Sequence, residues 1–195
     1  MELILASQSP RRRELLGMIT EDFTVRVSQA DETLTPGVTP EEGVKSLALR
    51  KAQAVADALP HGPGQAPGGW CVVGADTLVV ITGEILGKPR DHDDCVAMLR
   101  RLSGREHTVY TGVAVLTSGG ASRVFCEATQ VQFYPLTEEE IQDYAATGEP
   151  YDKAGAYGIQ GRGGVLVRGI HGDFYNVMGL PVGRLYRSLR ELGAL

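Results

Sequence analysis

A chain of 195 residues with 43% hydrophobic, 22% charged and 6% aromatic residues has the make-up of an ordinary globular protein, and a chain of this size buries roughly 70% of its unfolded surface. The net charge of −5 argues against a protein whose main task is coating nucleic acid, and no apolar run approaches the roughly 20 residues of a transmembrane helix. Cys71, Cys95 and Cys126 are odd in number and never spaced as Cys-x-x-Cys, which argues against a disulfide framework or zinc knuckle and predicts a cytoplasmic protein. The opening residues 1–6 lack a basic leader, so no signal peptide is expected.

Residues 2–6 read as a short strand. Ser9 then serves as N-cap, and Pro10 takes the first position of a helix with Leu15, Leu16 and Ile19 as its apolar stripe. Residues 23–27 alternate like a strand. Thr39-Pro40-Glu41-Glu42 is a capping box that opens a helix to about Leu59, buried through Val44, Leu47, Ala48, Val55 and Leu59. Seven of the ten residues in 60–69 are proline or glycine, the composition of a surface loop.

Residues 70–81 form a long apolar β run ending in a Thr82-Gly83-Glu84 turn. Cys95, Met98, Leu99 and Leu102 then recur at helical spacing over about 91–102. Residues 108–116 and 124–133 are two β runs joined by Ser118-Gly119-Gly120, a hairpin. Thr137 caps another helix, 151–164 is glycine-rich, 165–170 is a strand, and 181–192 a last helix. Helices alternating with strands, plus one hairpin, predict a single α/β domain around a mixed sheet.

Four places break these local patterns, and such breaks tend to mark function or strain. In Ser7-Gln8-Ser9-Pro10-Arg11-Arg12-Arg13, three cations crowd a helix N-terminus, which already favours anions; this is an anion site or a solvated basic turn. Arg12 precedes Leu15 and Leu16 by helical steps and so projects from the inward face. Lys51 interrupts the apolar stripe that includes Val44, and there it must snorkel, pair with a buried carboxylate, or line a cleft. Asp76 stands inside Val72-Val73-Gly74-Ala75-Asp76-Thr77-Leu78, where a carboxylate costs several kcal/mol unless paired or metal-bound. A structural pair with a buried lysine or arginine also satisfies it. The fourth break is Tyr151-Asp152-Lys153-Ala154-Gly155-Ala156-Tyr157-Gly158-Ile159-Gln160-Gly161, whose irregular glycines suggest a ligand loop.

Other signals carry less. His61, His92, His107 and His171 lack metal-ligand spacing and read as surface or satisfied histidines. The cysteines read as small core hydrophobes. Gly-x-Gly-x-x-Gly, Walker-type and nucleophile-elbow motifs are missing from the sequence, against dinucleotide redox enzymes, P-loop NTPases and α/β-hydrolases.

Taken in order, Leu5-Ala6-Ser7-Gln8-Ser9-Pro10-Arg11-Arg12, Asp31-Glu32, Gly74-Ala75-Asp76-Thr77, Lys88-Pro89-Arg90-Asp91, Leu102-Ser103-Gly104, His107, residues 152–161 and Gly179-Leu180-Pro181 closely resemble the Maf family of nucleotide pyrophosphatases. The resemblance spans essentially the whole chain. It implies one domain over residues 1–195, an α/β fold with a large mixed sheet flanked by helices, two lobes with a central cleft, and a homodimer. It implies hydrolysis of a nucleoside triphosphate to the monophosphate and pyrophosphate with a divalent cation, Mg²⁺ or Mn²⁺. Carried over position by position, Asp76 is the proton acceptor and, with Glu32, a metal ligand. Lys51, Lys88 and Arg12 are the remaining catalytic residues, and Ser7, Arg11, Thr77 and Gln160 bind or select the substrate.

These residue types suit the chemistry. Arginines and lysines hold phosphate oxygens and stabilise developing charge, carboxylates offer hard oxygen ligands to the cation, and the Gln160 amide has both a donor and an acceptor for a pyrimidine edge. Gly158-Ile159-Gln160-Gly161, with Arg11 and Thr77, resembles the branch preferring dTTP and UTP over the one acting on 7-methyl-GTP. Gly87 departs from the acidic residue often found before Lys88, and loop 60–69 is an expanded connection. The resemblance also brings a second expectation, a non-catalytic regulator of septum formation and cell division. A binding module has no need of Glu32 and Asp76 among lysines and arginines, so the enzyme is favoured.

Overall fold

In the computed structural model, which describes residues 1–60 and 68–195, the first apolar run forms strand β1 (Glu2–Ala6). Most of loop 60–69, and His61 with it, lies outside the described residues. Helix α1 (Pro10–Gly17) starts as expected, with Ser9 as N-cap and Pro10 in the first turn. It stops before Ile19. The alternation at 23–27 yields only β2 (Thr24–Val25), both of whose residues are exposed, so no burial holds a longer strand there.

Helix α2 (Pro40–Asp57) carries the full capping box between Thr39 and Glu42. Strand β3 (Trp70–Ile81) matches the predicted run residue for residue. Thr82 and Gly83, with φ of 49° and 80°, make the tight hairpin turn that needs two left-handed residues. That turn leads into β4 (Glu84–Leu86), too short to stand out in the sequence. Helix α3 (His92–Leu102) is capped by Asp91, and β5 (Glu106–Thr117) and β6 (Ser122–Phe133) form the expected hairpin.

Helix α4 (Glu138–Ala145) has a second capping box, Thr137 with Glu140. The glycine-rich stretch folds into short 3-10 turns, the last of which (Arg162–Leu166) delays β7 to Val167–His171. A five-residue helix, α5 (Phe174–Met178), has too few turns to show a helical period. The last helix is α6 (Val182–Glu191).

The strands order as β2-β1-β3-β5-β6-β7, with β4 also paired to β3. Strand β1 runs parallel to both β2 and β3, while β4 and β7 pair antiparallel. The result is the mixed seven-stranded sheet of an α/β fold.

The chain divides into two compact units. The first comprises Met1–Asp76, Thr111–Glu127 and Gly179–Leu195. Its core packs Ala48, Ala52, Val55 and Ala56 of α2 on Ile4, Ala6, Trp70, Val72 and Ala114 of the sheet. The second comprises Thr77–Tyr110 and Ala128–Met178, cored by Leu99 and Leu102 of α3, Ile141 and Tyr144 of α4, Phe133, and Tyr157. Among the described residues no helix is long and apolar enough to cross a membrane.

Candidate functional site

Within the first unit, two glycines decide where the charged groups go. A Cβ on Gly74 would run into the backbone of Ala48 and Ala52, and one on Gly112 into that of Val44 and Lys45. Helix α2 therefore lies directly against the strand backbones. At that distance Lys51, which is 8% exposed, does not snorkel to water. Its Nζ lies 2.6 Å from Asp76 Oδ1 and 3.2 Å from Glu32 Oε1. The Lys51 and Asp76 side chains are 10% and 13% exposed, against 67% for Glu32.

The loop bearing Glu32 is held from α2. Arg50 donates to the carbonyls of Asp31 and Thr33 at 3.0 and 2.8 Å, one on each side of Glu32. Asp31 closes the same turn by accepting the Thr33 N–H and hydroxyl at 2.9 and 2.7 Å.

The turn into α1 brings in the arginines. Ser7 Oγ accepts the Ser9 N–H at 3.1 Å, and Ser9 Oγ the Arg12 N–H at 3.4 Å. Arg12 is half-buried as its spacing predicted, and its Nε donates to the Gly179 carbonyl at 2.9 Å. Burial pulls the Arg12 pKa below its ordinary value; the Asp76 charge opposes this, Arg11 adds to it, and Glu32 opposes it again. Arg11, Arg12, Glu32, Lys51 and Asp76 are thus one electrostatic cluster. Ser7 also lines an open hollow of about 830 Å³ with Gln8, Ser9, Phe23 and Val25, within the size range of small-molecule sites.

The other expected site residues belong to the second unit. Thr77 follows Asp76 along β3 and is half-buried, its side chain on the other face of the strand. Lys88 is exposed just after β4, and Gln160 is exposed in a turn of the glycine-rich stretch. The Gly87 carbonyl accepts the Gly155 N–H at 3.0 Å, which ties the Lys88 segment to that stretch.

Beneath Gln160 sits a carboxylate that the sequence reading passed over. Glu149 accepts the Tyr144 hydroxyl at 2.8 Å and the N–H groups of Arg162 and Gly163 at 2.8 and 3.1 Å. Burial alone would raise the Glu149 pKa, but hydrogen bonds from Gly163, Arg162 and Tyr144, with Lys153 nearby, hold it below the usual carboxylate value. A signal was present: an acid preceding Gly155, Gly158, Gly161 and Gly163. Arg50 was also missed, and a half-buried arginine beside a site lysine gives no sequence cue.

The described histidines and the cysteines stand apart from this chemistry. His107 is buried, with Nε2 2.7 Å from the Tyr157 hydroxyl and Phe133 edge-on, and burial pushes its pKa down to about 4. His92 and His171 are exposed. Burial pushes the Cys71 thiol up to about 12 and those of Cys95 and Cys126 up to about 11, which suits small apolar fillers.

Several known proteins are similar to this chain over nearly its whole length. A "dTTP/UTP pyrophosphatase" of Geobacillus sp. is 52% identical over 98% of each chain. Another so named, from Bacillus velezensis, is 50% identical over 97% of this chain and 95% of its own, and one from Symbiobacterium thermophilum is 51% identical over 98% and 94%. Among solved structures, a HAM1 protein from Coxiella burnetii shares the fold at 14% identity, with a TM-score of 0.50 over 98% of this chain and 99% of that one. The family model described as Maf-like protein matches residues 2–192, and the chain belongs to that family.

Proposed function

We propose that this protein is a nucleoside triphosphate pyrophosphatase that hydrolyses dTTP and UTP to the monophosphate and pyrophosphate. The observation that carries the reading is the convergence of Asp76 and Glu32 on the Lys51 ammonium at 2.6 and 3.2 Å, beside Arg12. An acid this well shielded, held by a cation in the middle of an apolar strand, has the place and the partners of a proton acceptor. The names of relatives at about half identity over nearly full length support the same substrates.

The donor set fits a hard divalent cation. Two carboxylates already face one positive charge, the Lys51 ammonium, which stands where a bound cation would be attracted. Mg²⁺ takes one or two protein carboxylates and completes its shell with phosphate oxygens and water. Glu32 and Asp76 would hold Mg²⁺ or Mn²⁺, which when bound neutralises phosphate charge and acidifies water.

The rest of the reaction belongs to the chain's own residues. Arg11, Arg12 and Lys51, with Lys88, bind the triphosphate oxygens and stabilise the charge that builds on the departing pyrophosphate. Asp76 takes the proton from the water that attacks the α-phosphorus in line, and the bond to the β-phosphate's bridging oxygen breaks. Ser7 contributes at the turn into α1, where the positive end of the helix favours an anion. Thr77 and Gln160 select the base, the Gln160 amide matching the donor and acceptor edge of thymine or uracil. Residues 1–195 act as one domain, in the cytoplasm and as a homodimer, on the strength of the family resemblance.

The test is pyrophosphate release from dTTP, UTP, CTP, GTP, ATP and 7-methyl-GTP with Mg²⁺, Mn²⁺ or EDTA, with Asp76→Asn protein as control. Cation-dependent release led by dTTP and UTP, and lost in the variant, is the expected result. Release led by a purine overturns the selectivity, and no release from any nucleotide overturns the enzyme.

A further inference from the structure

The glycine-rich stretch of the second unit is gripped at both ends by one pair of side chains. Tyr144 Oη accepts the Gly158 N–H at 3.1 Å. Glu149 accepts the Arg162 and Gly163 N–H groups at 2.8 and 3.1 Å. The two side chains are joined to each other by the 2.8 Å Tyr144–Glu149 hydrogen bond. Lys153 Nζ donates to the Glu149 carbonyl at 2.6 Å, fixing the clamp from below. Gln160 lies midway along the gripped turn and is exposed.

The clamp also explains the glycines. A Cβ on Gly161 would strike the Glu149 carboxylate, one on Gly163 would meet Tyr144 Oη at 2.6 Å, and one on Gly158 would meet Lys153 Cε at 2.7 Å. Each glycine allows the turn to lie flat on the residue that grips it. A turn this short, tied at both ends, fixes the backbone from which the exposed Gln160 side chain projects.

We propose that Glu149 and Tyr144 are positioning residues that hold turn 158–163 so that Gln160 is presented to the base, and that they thereby set the preference for dTTP and UTP. This rests on the reading of Gln160 as the base-selecting residue. Neither side chain touches substrate in this role. Their contribution is to pre-order the backbone that carries Gln160, so that less binding energy is lost in placing its amide.

The test compares full-length wild type with Glu149→Gln, Tyr144→Phe, Gln160→Ala and the Glu149→Gln/Gln160→Ala double variant. For each, kcat and KM are measured for dTTP, UTP and CTP, along with inhibition by inorganic pyrophosphate, which has no base, and the midpoint of thermal unfolding. Loss of positioning raises KM for dTTP and UTP by about tenfold with kcat held within about twofold. It narrows the preference over CTP and leaves pyrophosphate inhibition unchanged. The double variant is no worse than Gln160→Ala alone, because the clamp acts only through that residue.

A lowered melting point with unchanged selectivity in Glu149→Gln and Tyr144→Phe overturns the proposal, as does a double variant whose losses simply add. If Glu149→Gln does not fold, Tyr144→Phe alone decides, since it removes the hydroxyl that links Glu149 to Gly158. Gln160→Ala protein with wild-type selectivity overturns the base-reading assignment, and the clamp's role with it. Lost selectivity in Gln160→Ala beside unaltered Glu149→Gln and Tyr144→Phe overturns only the clamp.

Discussion

Lys51 and Asp76 form a 2.6 Å ion pair in which each partner stabilises what would otherwise be a misplaced charge. The lysine interrupts the buried stripe of α2, and the aspartate interrupts the apolar run of β3. Gly74 and Gly112 permit the close approach that lets them meet. One pair therefore serves both stability and chemistry, and the two contributions separate by substitution.

Asp76→Asn keeps the shape and a hydrogen-bonding oxygen but removes the charge. Lys51 retains Glu32 at 3.2 Å, so the loss of stability is held to about 1–3 kcal/mol. Turnover falls by at least about a hundredfold, the contribution of a positioned base. Urea unfolding and pyrophosphate release on the same samples check this. A variant that loses several kcal/mol yet keeps its turnover makes Asp76 a structural residue.

Lys51→Met has a less obvious consequence. Its aliphatic stem still packs on the sheet, so α2 stays in place, while the cation that faces Glu32 and Asp76 is gone. Mn²⁺ then binds the free protein more tightly, because it no longer competes with an ammonium, even as kcat/KM for dTTP falls by about tenfold or more. Calorimetric titration with Mn²⁺ beside steady-state kinetics reads both effects. Weaker Mn²⁺ binding would mean that the two carboxylates do not share a cation site.

The charges set inside apolar patterns were legible in the sequence. Lys51, Asp76 and Arg12 each cost free energy where they stand, and that cost pointed to partners before any coordinates did. Glu32 gave no such signal, because a carboxylate on an exposed loop costs nothing; only the family resemblance singled it out. Arg50 acts through backbone groups distant in sequence, a relation that no local spacing encodes, and for Glu149 the following glycines were the one cue. Among the elements, strongly patterned ones such as α2 and β3 were predicted closely. The expected strand at 23–27 shrank to two residues because alternation without burial does not sustain pairing.

Arg50 grips the carbonyls on both sides of Glu32, so Arg50→Met frees that loop without touching the cluster itself. The Mn²⁺ concentration needed for half-maximal dTTP hydrolysis rises by about tenfold, as when a residue supporting a ligand is lost. In a Glu32→Gln background the same substitution changes nothing further. Manganese titrations of the four proteins form the cycle, and an Arg50 effect that persists without Glu32 would assign the arginine another role.

His107 gives stability a pH dependence of defined sign. Its pKa is pushed down to about 4 from an ordinary 6.5 by burial, with only the Tyr157 hydroxyl against Nε2 and, among the described residues, no partner for Nδ1. Above pH 6.5 the imidazole is neutral both folded and unfolded, and it adds no slope. Between 6.5 and 4 the unfolded chain binds a proton that the folded chain refuses, so stability falls as pH falls, by about 1.4 kcal/mol per pH unit and about 3 kcal/mol over the window. His107→Gln removes that slope, while the carboxylate titrations below pH 4.5 remain. Urea unfolding of both proteins at pH 5.0 and 6.0, where carboxylates contribute little, isolates the histidine. Equal slopes in the two proteins would show that His107 takes up its proton without unfolding and that the cage around it is open to water.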